Sequence, residues 1–222
     1  MVIKKNKANV AILISGNGSN MEAIIKASKA PDYPAKIAIV ISDKEDAGGI
    51  TIAKKYKIRT LIILKDKYNS RIDYDLAISK ILSKEKIEYI CAAGFMRLLS
   101  EEFIDVWWNR IINIHPSLLP SYKGLNTHQR VLKDKIKVTG CSVHIVRKEL
   151  DEGPIIIQAK VPVKKNDTEE ILSARVLKME HKIYPYALML LAGQKIYLEN
   201  NTVIHKDKLS FDNFLISPLL KK

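Results

Sequence analysis

Asn113 and His115 stand two residues apart in the segment Asn113-Ile-His-Pro-Ser117. Residues 110–114 are predicted to form a strand, in which side chains alternate between two faces. The amide and the imidazole therefore share one face, about 7 Å apart. An amide donor can stabilise a developing oxyanion, and an imidazole can exchange a proton near neutral pH. This combination suits acyl transfer, although a lone histidine is more often a structural residue.

Asp151 is a third candidate, in the turn Glu149-Leu-Asp-Glu-Gly153. A carboxylate in this turn could reach His115, hold its ring in one orientation and raise its pKa. The alternative is an ordinary Asp-x-Gly turn with solvated acids. Glu149 and Glu152 are neighbours that could be mistaken for the functional acid.

A loop with two glycines, Ser15-Gly-Asn-Gly-Ser-Asn20, follows the first predicted strand. The glycines let the backbone approach a ligand, and the helix that begins there offers free N–H groups to a phosphate. Ser19 and Glu22 are spaced as a capping box for this helix. The loop lacks the GxGxxG fingerprint and the Lys-Ser/Thr of a triphosphate loop. A tight turn without a ligand is the alternative.

Short apolar runs alternate with helical patterns through the first half of the chain. Strands are predicted at 10–14, 37–41, 60–64 and 89–93, with helices after the glycine loop, at 48–56 and at 71–86. Parallel strands require crossover connections, so this alternation predicts an α/β fold. We expect a Rossmann-like, doubly wound, mostly parallel sheet with helices on both faces.

The second half of the chain has a different pattern. Strands are predicted at 110–114, 140–146 and 154–161, and the last two are close enough to form a hairpin, an antiparallel extension of the sheet. Asp167 and Glu170 are expected to open a long helix, which Pro185 should kink or interrupt. Its buried stripe is predicted to contain Leu172, Val176, Met179 and Ile183. Short strands or extended chain are expected from Tyr197 onward.

No linker, repeat or low-complexity stretch separates the halves, which predicts one domain over 1–222, with halves of about 1–107 and about 108–222. Apolar residues make up 47% and charged residues 27%, as in globular proteins. No apolar run approaches the roughly 18 residues of a membrane span. The N-terminal apolar stretch is too short for a signal peptide, so the cytoplasm is expected.

The cysteines and the remaining histidines show no metal-ligand spacing, so no metal site is expected. These residues are Cys91, Cys141, His128, His144, His181 and His205. The formal net charge of +13 allows a partner that carries phosphates or carboxylates. No block of five or six like charges is present, which favours a surface of scattered, solvated lysines instead.

Four segments together resemble the phosphoribosylglycinamide formyltransferases, a branch of the formyltransferase superfamily. They are Ile14-Ser-Gly-Asn-Gly-Ser-Asn20, Ala93-Gly-Phe-Met-Arg-Leu-Leu-Ser100, Ile112-Asn-Ile-His-Pro-Ser-Leu-Leu-Pro120 and Leu150-Asp-Glu-Gly-Pro-Ile155. The resemblance runs from about residue 9 to about residue 197. It implies transfer of the formyl group of 10-formyltetrahydrofolate to the amine of glycinamide ribonucleotide, in purine biosynthesis. It also implies small-molecule substrates, no metal, no nucleic acid, no membrane, and a monomer or homodimer.

The family's functional residues carry over position by position, as implications of the resemblance. The catalytic trio would be Asn113, His115 and Asp151. The ribonucleotide would be bound by Gly18, Ser19 and Asn20 at its phosphate and by Glu180 at its glycinamide end. The folate pocket would be lined by Arg71, Met96, Arg97, Leu98, Leu99, Arg147, Lys148, Glu149 and Leu150, together with Asn113 and Asp151.

Four other functions remain as alternatives. A formyltetrahydrofolate hydrolase shares the catalytic residues but usually adds an N-terminal regulatory domain, whereas the matching fold begins here by Val10. A methionyl-tRNA formyltransferase adds a C-terminal domain, whereas only about 25 residues follow the long helix here. A non-catalytic nucleotide-binding module would not need the trio. A nicotinamide-dependent dehydrogenase would need the missing glycine fingerprint.

Overall fold

A computed structural model describes residues 6–206 of the chain. The strands within this range are β1 (Ala8–Ile14), β2 (Ala35–Ser42), β3 (Arg59–Ile62), β4 (Tyr89–Ala92), β5 (Ile111–His115), β6 (Val138–Ile145), β7 (Ile155–Pro162), β8 (Ile196–Glu199) and β9 (Thr202–His205). The α-helices are α1 (Ser19–Ser28), α2 (Gly48–Lys55), α3 (Arg71–Lys84), α4 (Glu101–Val106), α5 (Thr127–Lys133) and α6 (Glu169–Ala192).

Seven strands form one sheet in the order β3-β2-β1-β4-β5-β6-β7. Strand β1 pairs in parallel with β2 and β4, and β2 pairs in parallel with β3. Strands β6 and β7 form an antiparallel hairpin, and β8 and β9 form a separate one. The predicted fold class, a mostly parallel doubly wound sheet with an antiparallel extension, is confirmed.

The chain divides into two compact units, Met1–Ile112 and Asn113–Lys222. The assignment of a single domain over 1–222 stays a prediction. None of the helices in residues 6–206 has the length and apolar character needed to cross a bilayer.

The first unit is built around β1, whose residues from Val10 to Ile14 are fully buried. A strand that is apolar on both faces fits a parallel sheet covered by helices on both sides. Helix α1 begins differently from the expectation. Gly18, at φ 74°, is its N-cap and Ser19 is its first helical residue, so the predicted capping box is wrong. The Glu22 carboxylate instead contacts Lys26 and accepts a hydrogen bond from Tyr56.

The buried face of α3 is more polar than its apolar spacing indicated. Tyr74, Ile78 and Leu82 are buried as predicted, whereas Ala77 and Ile81 are only half-buried. Asp75 and Ser79 are buried beside that stripe.

Both of these buried polar side chains on α3 have partners near α4. Asp75 Oδ2 accepts the backbone N–H of Ser100 at 2.6 Å, and Ser79 Oγ accepts the indole N–H of Trp107 at 3.0 Å. Burial raises the pKa of Asp75, and the hydrogen bonds from Ser100 oppose this rise. Trp107 is buried and Trp108 is exposed.

The second unit contains the β6–β7 hairpin and the long helix α6. Thr168, not Asp167, caps this helix. Asp167 pairs through both carboxylate oxygens with Arg175, at 2.6 and 2.7 Å. The helix continues through Pro185, so an interruption is excluded, and the alternative, a kink at this residue, stays a prediction. Pro185 lies in a buried turn of the helix, whose packing offsets the hydrogen bond that proline cannot donate.

The buried stripe of α6 differs from the prediction at one position. Leu172, Val176 and Ile183 are buried, whereas Met179 is half-buried and Glu180 is buried next to it. The strands expected from Tyr197 onward are confirmed as far as His205 by β8 and β9. The remainder of that expectation, residues 207–222, lies outside the described range.

Candidate active site

The second unit brings Asn113, His115 and Asp151 together. His115 is the last residue of β5, and Asn113 precedes it by two positions on the same strand. The side chains of His115 and Asp151 are buried, and His115 Nδ1 lies 3.2 Å from Asp151 Oδ2. The expected approach of this carboxylate to the imidazole is therefore present.

Asp151 is held in an uncommon backbone conformation. Its φ is 55°, in the left-handed region that residues with a side chain adopt rarely, although aspartate does so more often than most. The carboxylate accepts the backbone N–H of Gly124 at 2.9 Å. Two residues later, a Cβ on Gly153 would stand 1.6 Å from the carbonyl oxygen of Ile145. Only glycine fits there, which fixes the path of the chain just after the acid.

His144 belongs to the same cluster, although its spacing in the sequence gave no sign of this. Its Nε2 lies 3.3 Å from Asn113 Nδ2 and 3.6 Å from Asp151 Oδ1. Its Nδ1 lies 3.0 Å from the carbonyl oxygen of Ile145. With the proton on Nδ1, the ring donates to that carbonyl and accepts from the amide of Asn113, whereas a proton on Nε2 faces the Asp151 carboxylate. A histidine in the apolar run of β6, just before the Asp151 turn, was the available signal.

The pKa of His115 is lowered, contrary to the expectation that Asp151 would raise it. Burial is the largest cause, because it disfavours the charged imidazolium. The carbonyl of Tyr122 and the carboxylate of Asp151 act in the opposite direction and do not overcome burial. Asp151 is the partner of His115, as predicted. The predicted direction of the pKa shift of His115 is wrong, because the prediction did not include the burial of the end of β5.

His115 has a hydrogen-bond acceptor near each ring nitrogen. Nε2 lies 2.8 Å from the carbonyl oxygen of Tyr122, and Nδ1 faces Asp151. A neutral imidazole has one N–H and can donate to only one of these acceptors, whereas the charged ring can donate to both. The site thus holds a neutral ring at rest and has acceptors in place for the proton that the ring can take up.

Opposing effects set the charge of Asp151. Burial raises the pKa of this carboxyl, but contact with His144 and the N–H of Gly124 act in the opposite direction and outweigh burial. The pKa of Asp151 therefore lies below its ordinary value, and the group is a carboxylate at neutral pH. A fixed negative charge beside a neutral imidazole suits the stabilisation of a transient imidazolium.

A buried polar network fixes the loop that supplies the Tyr122 carbonyl. Ser142 Oγ donates to the carbonyl of Ser117 at 2.6 Å and accepts the N–H of Leu119 at 3.0 Å. Gln158 Nε2 donates to Ser142 Oγ at 2.8 Å and to the carbonyl of Leu119 at 3.0 Å. Buried donors and acceptors with several partners restrict a loop to one conformation. Sequence analysis did not identify this support.

The glycine loop of the first unit is shaped by close backbone packing. A Cβ on Gly18 would stand 2.6 Å from Gly49 Cα, and one on Gly49 would stand 2.6 Å from Ile14 Cδ1. The N–H of Gly49 donates to the carbonyl of Gly16 at 3.0 Å. Gly49 was missed in the sequence because it lies 31 positions beyond Gly18, at the start of α2. Ser19 and Asn20 open α1, where its first N–H groups suit an anion.

The first unit also carries one of the two segments expected to line a folate pocket. The Met96 and Leu98 side chains are exposed by 70% and 58%, large values for apolar residues. The guanidinium of Arg97 lies 4.6 Å from the centre of the Tyr74 ring, and Leu99 is half-buried. The N–H of Met96 donates to Ser15 Oγ at 2.9 Å.

The residues expected to bind folate in the first unit also include Arg71. Arg71 is the first residue of α3, and its side chain is exposed. The segment from Met96 to Leu99 exposes apolar side chains, and its backbone is held at Met96 by the hydrogen bond to Ser15. Arg71 exposes a positive charge at the start of α3. These are the features of a surface that binds a partly apolar, anionic molecule.

The second folate segment, Arg147 to Asp151, is of mixed character. Lys148, Glu149 and Leu150 are exposed, whereas Arg147 is buried and binds Asn201.

Glu180, expected to bind the glycinamide end of the ribonucleotide, is buried on α6. Burial raises the pKa of the Cys141 thiol, and the charge of Glu180 adds to this effect.

Residues 6–206 contain no group of three or more histidine, cysteine or acidic side chains arranged to hold a metal ion. What the cluster in the second unit offers is an amide donor, an imidazole that can gain a proton and a carboxylate that can stabilise the charged ring. These groups can promote the attack of an amine on an acyl carbon.

A family model and several known proteins match this chain. A family model described as formyl transferase matches residues 8–188. The trifunctional purine biosynthetic protein adenosine-3 of Gallus gallus is 48% identical over 86% of this chain and 19% of its own length. The chain thus spans about a fifth of this longer relative.

A relative of similar length and a similar solved structure were also found. The phosphoribosylglycinamide formyltransferase of Escherichia coli is 41% identical over 87% of this chain and 91% of its own. The crystal structure of glycinamide ribonucleotide transformylase 1 from Symbiobacterium toebii is 40% identical, with a TM-score of 0.88, covering 90% of this chain and 95% of that one.

Proposed function

Because the chain belongs to the formyl transferase family, we propose that it transfers the formyl group of 10-formyltetrahydrofolate to the amine of 5-phosphoribosylglycinamide. The products are formylglycinamide ribonucleotide and tetrahydrofolate. The observation that carries this proposal is the buried His115–Asp151 pair, 3.2 Å apart, on the strand end that also bears Asn113. The names of the relatives support the choice of substrates.

The transfer is direct, with no covalent link to the protein. The amine nitrogen bonds to the formyl carbon, and the former carbonyl oxygen becomes an oxyanion. Asn113 Nδ2 has two hydrogens, so it can donate one to His144 and the other to this oxyanion. Such a donor contributes about 3–4 kcal/mol to stabilisation of the transition state.

Proton movement completes the reaction. The attacking amine loses one proton, the bond between the formyl carbon and folate N10 breaks, and N10 gains one proton. His115 begins neutral and takes up the proton lost by the amine. As an imidazolium it donates from Nε2 to the oxyanion in place of the Tyr122 carbonyl, and it then releases the proton toward N10, with water as a carrier. Asp151 stabilises the charged ring from the Nδ1 side.

The remaining residues bind the two substrates. Gly18, Ser19 and Asn20 hold the phosphate through backbone N–H groups at the start of α1, and Glu180 holds the glycinamide amine. The folate contacts Arg71, Met96, Arg97, Leu98 and Leu99 in the first unit and the segment of Lys148, Glu149, Leu150 and Asp151 in the second, and Arg147 supports that second segment at its first position. We place the reaction in the cytoplasm, within a single domain, in a monomer or homodimer, with small-molecule substrates and neither nucleic acid nor membrane as a partner.

An absorbance assay with a 10-formyl folate analogue tests the proposal. The chain is incubated with the analogue, with and without the ribonucleotide, and the deformylated folate is followed. Release that requires the ribonucleotide is the expected result. Release without it means that water accepts the formyl group, and no release in either sample means that the chain is not a folate-dependent transferase for this amine. Either of these results overturns the proposal.

A further inference from the structure

Arg147 is buried at the start of the segment from Arg147 to Asp151, whereas the three residues after it are exposed. Its side chain is 7% exposed, while Lys148, Glu149 and Leu150 lie on the surface. We propose that Arg147 is a positioning residue that fixes the segment from Arg147 to Asp151 by binding the turn between β8 and β9, and that it does not contact folate itself. This inference rests on the proposed function, because it concerns how that segment is presented.

Arg147 donates hydrogen bonds to Asn201 and to Val146. Its Nε donates to Asn201 Oδ1 at 3.0 Å, and its Nη1 donates to the carbonyl of Val146 at 3.1 Å. The guanidinium thus joins the first residue of the segment to a side chain 54 positions later in the sequence. A planar group that donates in several fixed directions makes such a link geometrically specific.

Burial of this charge has an energetic cost that the contacts must offset. Burial lowers the pKa of Arg147, and the nearby charge of Glu149 opposes this effect. A cation whose role is to attract an anionic ligand is normally left partly hydrated, at a cleft edge or at a surface. A buried guanidinium with acceptors in its own chain is characteristic of a structural link.

The anchor to which Arg147 binds is itself well fixed. Asn201 lies in the turn of the hairpin in which Glu199 pairs with Thr202 and Ile196 pairs with His205. Within the second unit, β8 packs against α6, and β9 packs against β7. The link therefore ties the segment to a hairpin that rests on α6 and on β7.

The other end of the segment is fixed by close packing. A Cβ on Gly153 would stand 3.2 Å from Arg147 Cγ as well as 1.6 Å from the Ile145 carbonyl oxygen. The chain is thus held on both sides of Asp151, by the arginine before it and by the glycine after it. Since Asp151 has a φ of 55°, its placement depends on both supports. Loss of the Arg147 link should disturb folate binding and catalysis together.

A double-mutant cycle separates a positioning residue from a folate ligand. The variants are Arg147→Met, Asn201→Ala and the double variant, and the readout is kcat/KM for the formyl folate. If the link positions the segment, each single change lowers kcat/KM by about tenfold and the double variant is no worse than either. If Arg147 binds folate, Arg147→Met lowers kcat/KM while Asn201→Ala leaves it unchanged, and the proposal is overturned.

A control variant matches these changes. Asn200→Ala alters the neighbouring residue, which also has a positive φ (48°), and should leave kcat/KM near the wild-type value. An effect of Asn200→Ala as large as that of Asn201→Ala would mean that the turn matters and the link does not. Asn201 is exposed, so its variant remains informative even if Arg147→Met fails to fold.

Hydrogen–deuterium exchange tests the link independently of the proposed activity. Exchange of the backbone amides of residues 148–152 should accelerate in Asn201→Ala and not in Asn200→Ala. If the wild-type chain transfers no formyl group, the proposed function fails, and the exchange result still decides whether the link exists. Unchanged exchange in Asn201→Ala would overturn the inference even in an active transferase.

Discussion

The glycine loop of the first unit and the polar cluster of the second unit are built by opposite means. The loop is shaped by backbone packing, with Gly18 and Gly49 in contact and no buried charge involved. The cluster consists of side chains from two strands and a turn, in which burial and charge oppose each other. The first arrangement suits binding of an anion by N–H groups, and the second suits movement of a proton.

This difference predicts where substitutions will act. Changes in the loop should weaken the binding of the ribonucleotide and leave the rate of the bound complex nearly unchanged. Changes in the cluster should lower that rate and leave substrate binding nearly unchanged. Measurements that separate effects on KM from effects on kcat therefore test this difference between the loop and the cluster.

The largest effect is expected from Asp151→Asn. The change removes the negative charge that stabilises the imidazolium of His115, so kcat should fall by about 10²-fold or more while both KM values change little. Steady-state kinetics measure this. The matched control is Glu152→Gln, one position away, whose carboxylate is exposed and contacts Lys123. It should stay within about twofold of the wild type, and equal losses in the two variants would contradict the assignment of Asp151.

A smaller effect, of a different kind, is expected from Gly18→Ala. The new methyl group would stand 2.6 Å from Gly49 Cα, so the loop must shift and the KM for the ribonucleotide should rise by about tenfold. Gly94→Ala is the control, since Gly94 also has a φ of 74° but its Cβ would meet no atom within 4 Å. Both variants carry the backbone strain of about 1–2 kcal/mol. Only Gly18→Ala should alter the KM for the ribonucleotide.

The smallest effect is on stability and depends on pH. The folded-state pKa values of His115 and Asp151 both lie below their ordinary values, so the folded chain binds fewer protons than the unfolded chain. The stabilisation from His115 is complete above its ordinary pKa of 6.5 and is lost as the pH falls through the lower folded value. The Tm should thus decrease between pH 7 and pH 5.

A histidine variant identifies the source of this decrease. Calorimetry of His115→Gln should show a shallower decrease in Tm over the same pH range. Part of the decrease should remain, because burial also lowers the pKa of His128. An unchanged slope in His115→Gln would mean that this histidine is not the group that titrates.

The same comparison explains what the sequence could predict. The strand β1, the glycine loop after it and the β6–β7 hairpin were predicted from apolar runs and turn residues that are neighbours in the sequence. The predictions were wrong where contacts between residues far apart in the sequence determine the local structure. Gly18 replaced Ser19 as the N-cap, and Asp75 and Ser79 are buried because Ser100 and Trp107 supply their partners.

The candidate site shows the same limit. Asn113 and His115 lie two residues apart on one strand, so strand periodicity alone predicts that their side chains share one face of that strand. The presence of His144 and the lowered pKa of His115 depend on burial and on contacts between separate elements, which no local pattern encodes. The functional roles of the trio stay a prediction, supported by the geometry of the cluster.

The most direct test of the account is the turnover of His115→Gln in formyl transfer, measured together with the KM for each substrate. Glutamine keeps a polar side chain of similar length but cannot take up a proton at neutral pH. The account predicts that kcat falls by about 10²–10⁴-fold while the KM values stay near those of the wild type. A kcat within about twofold of the wild-type value would contradict the central role of this histidine.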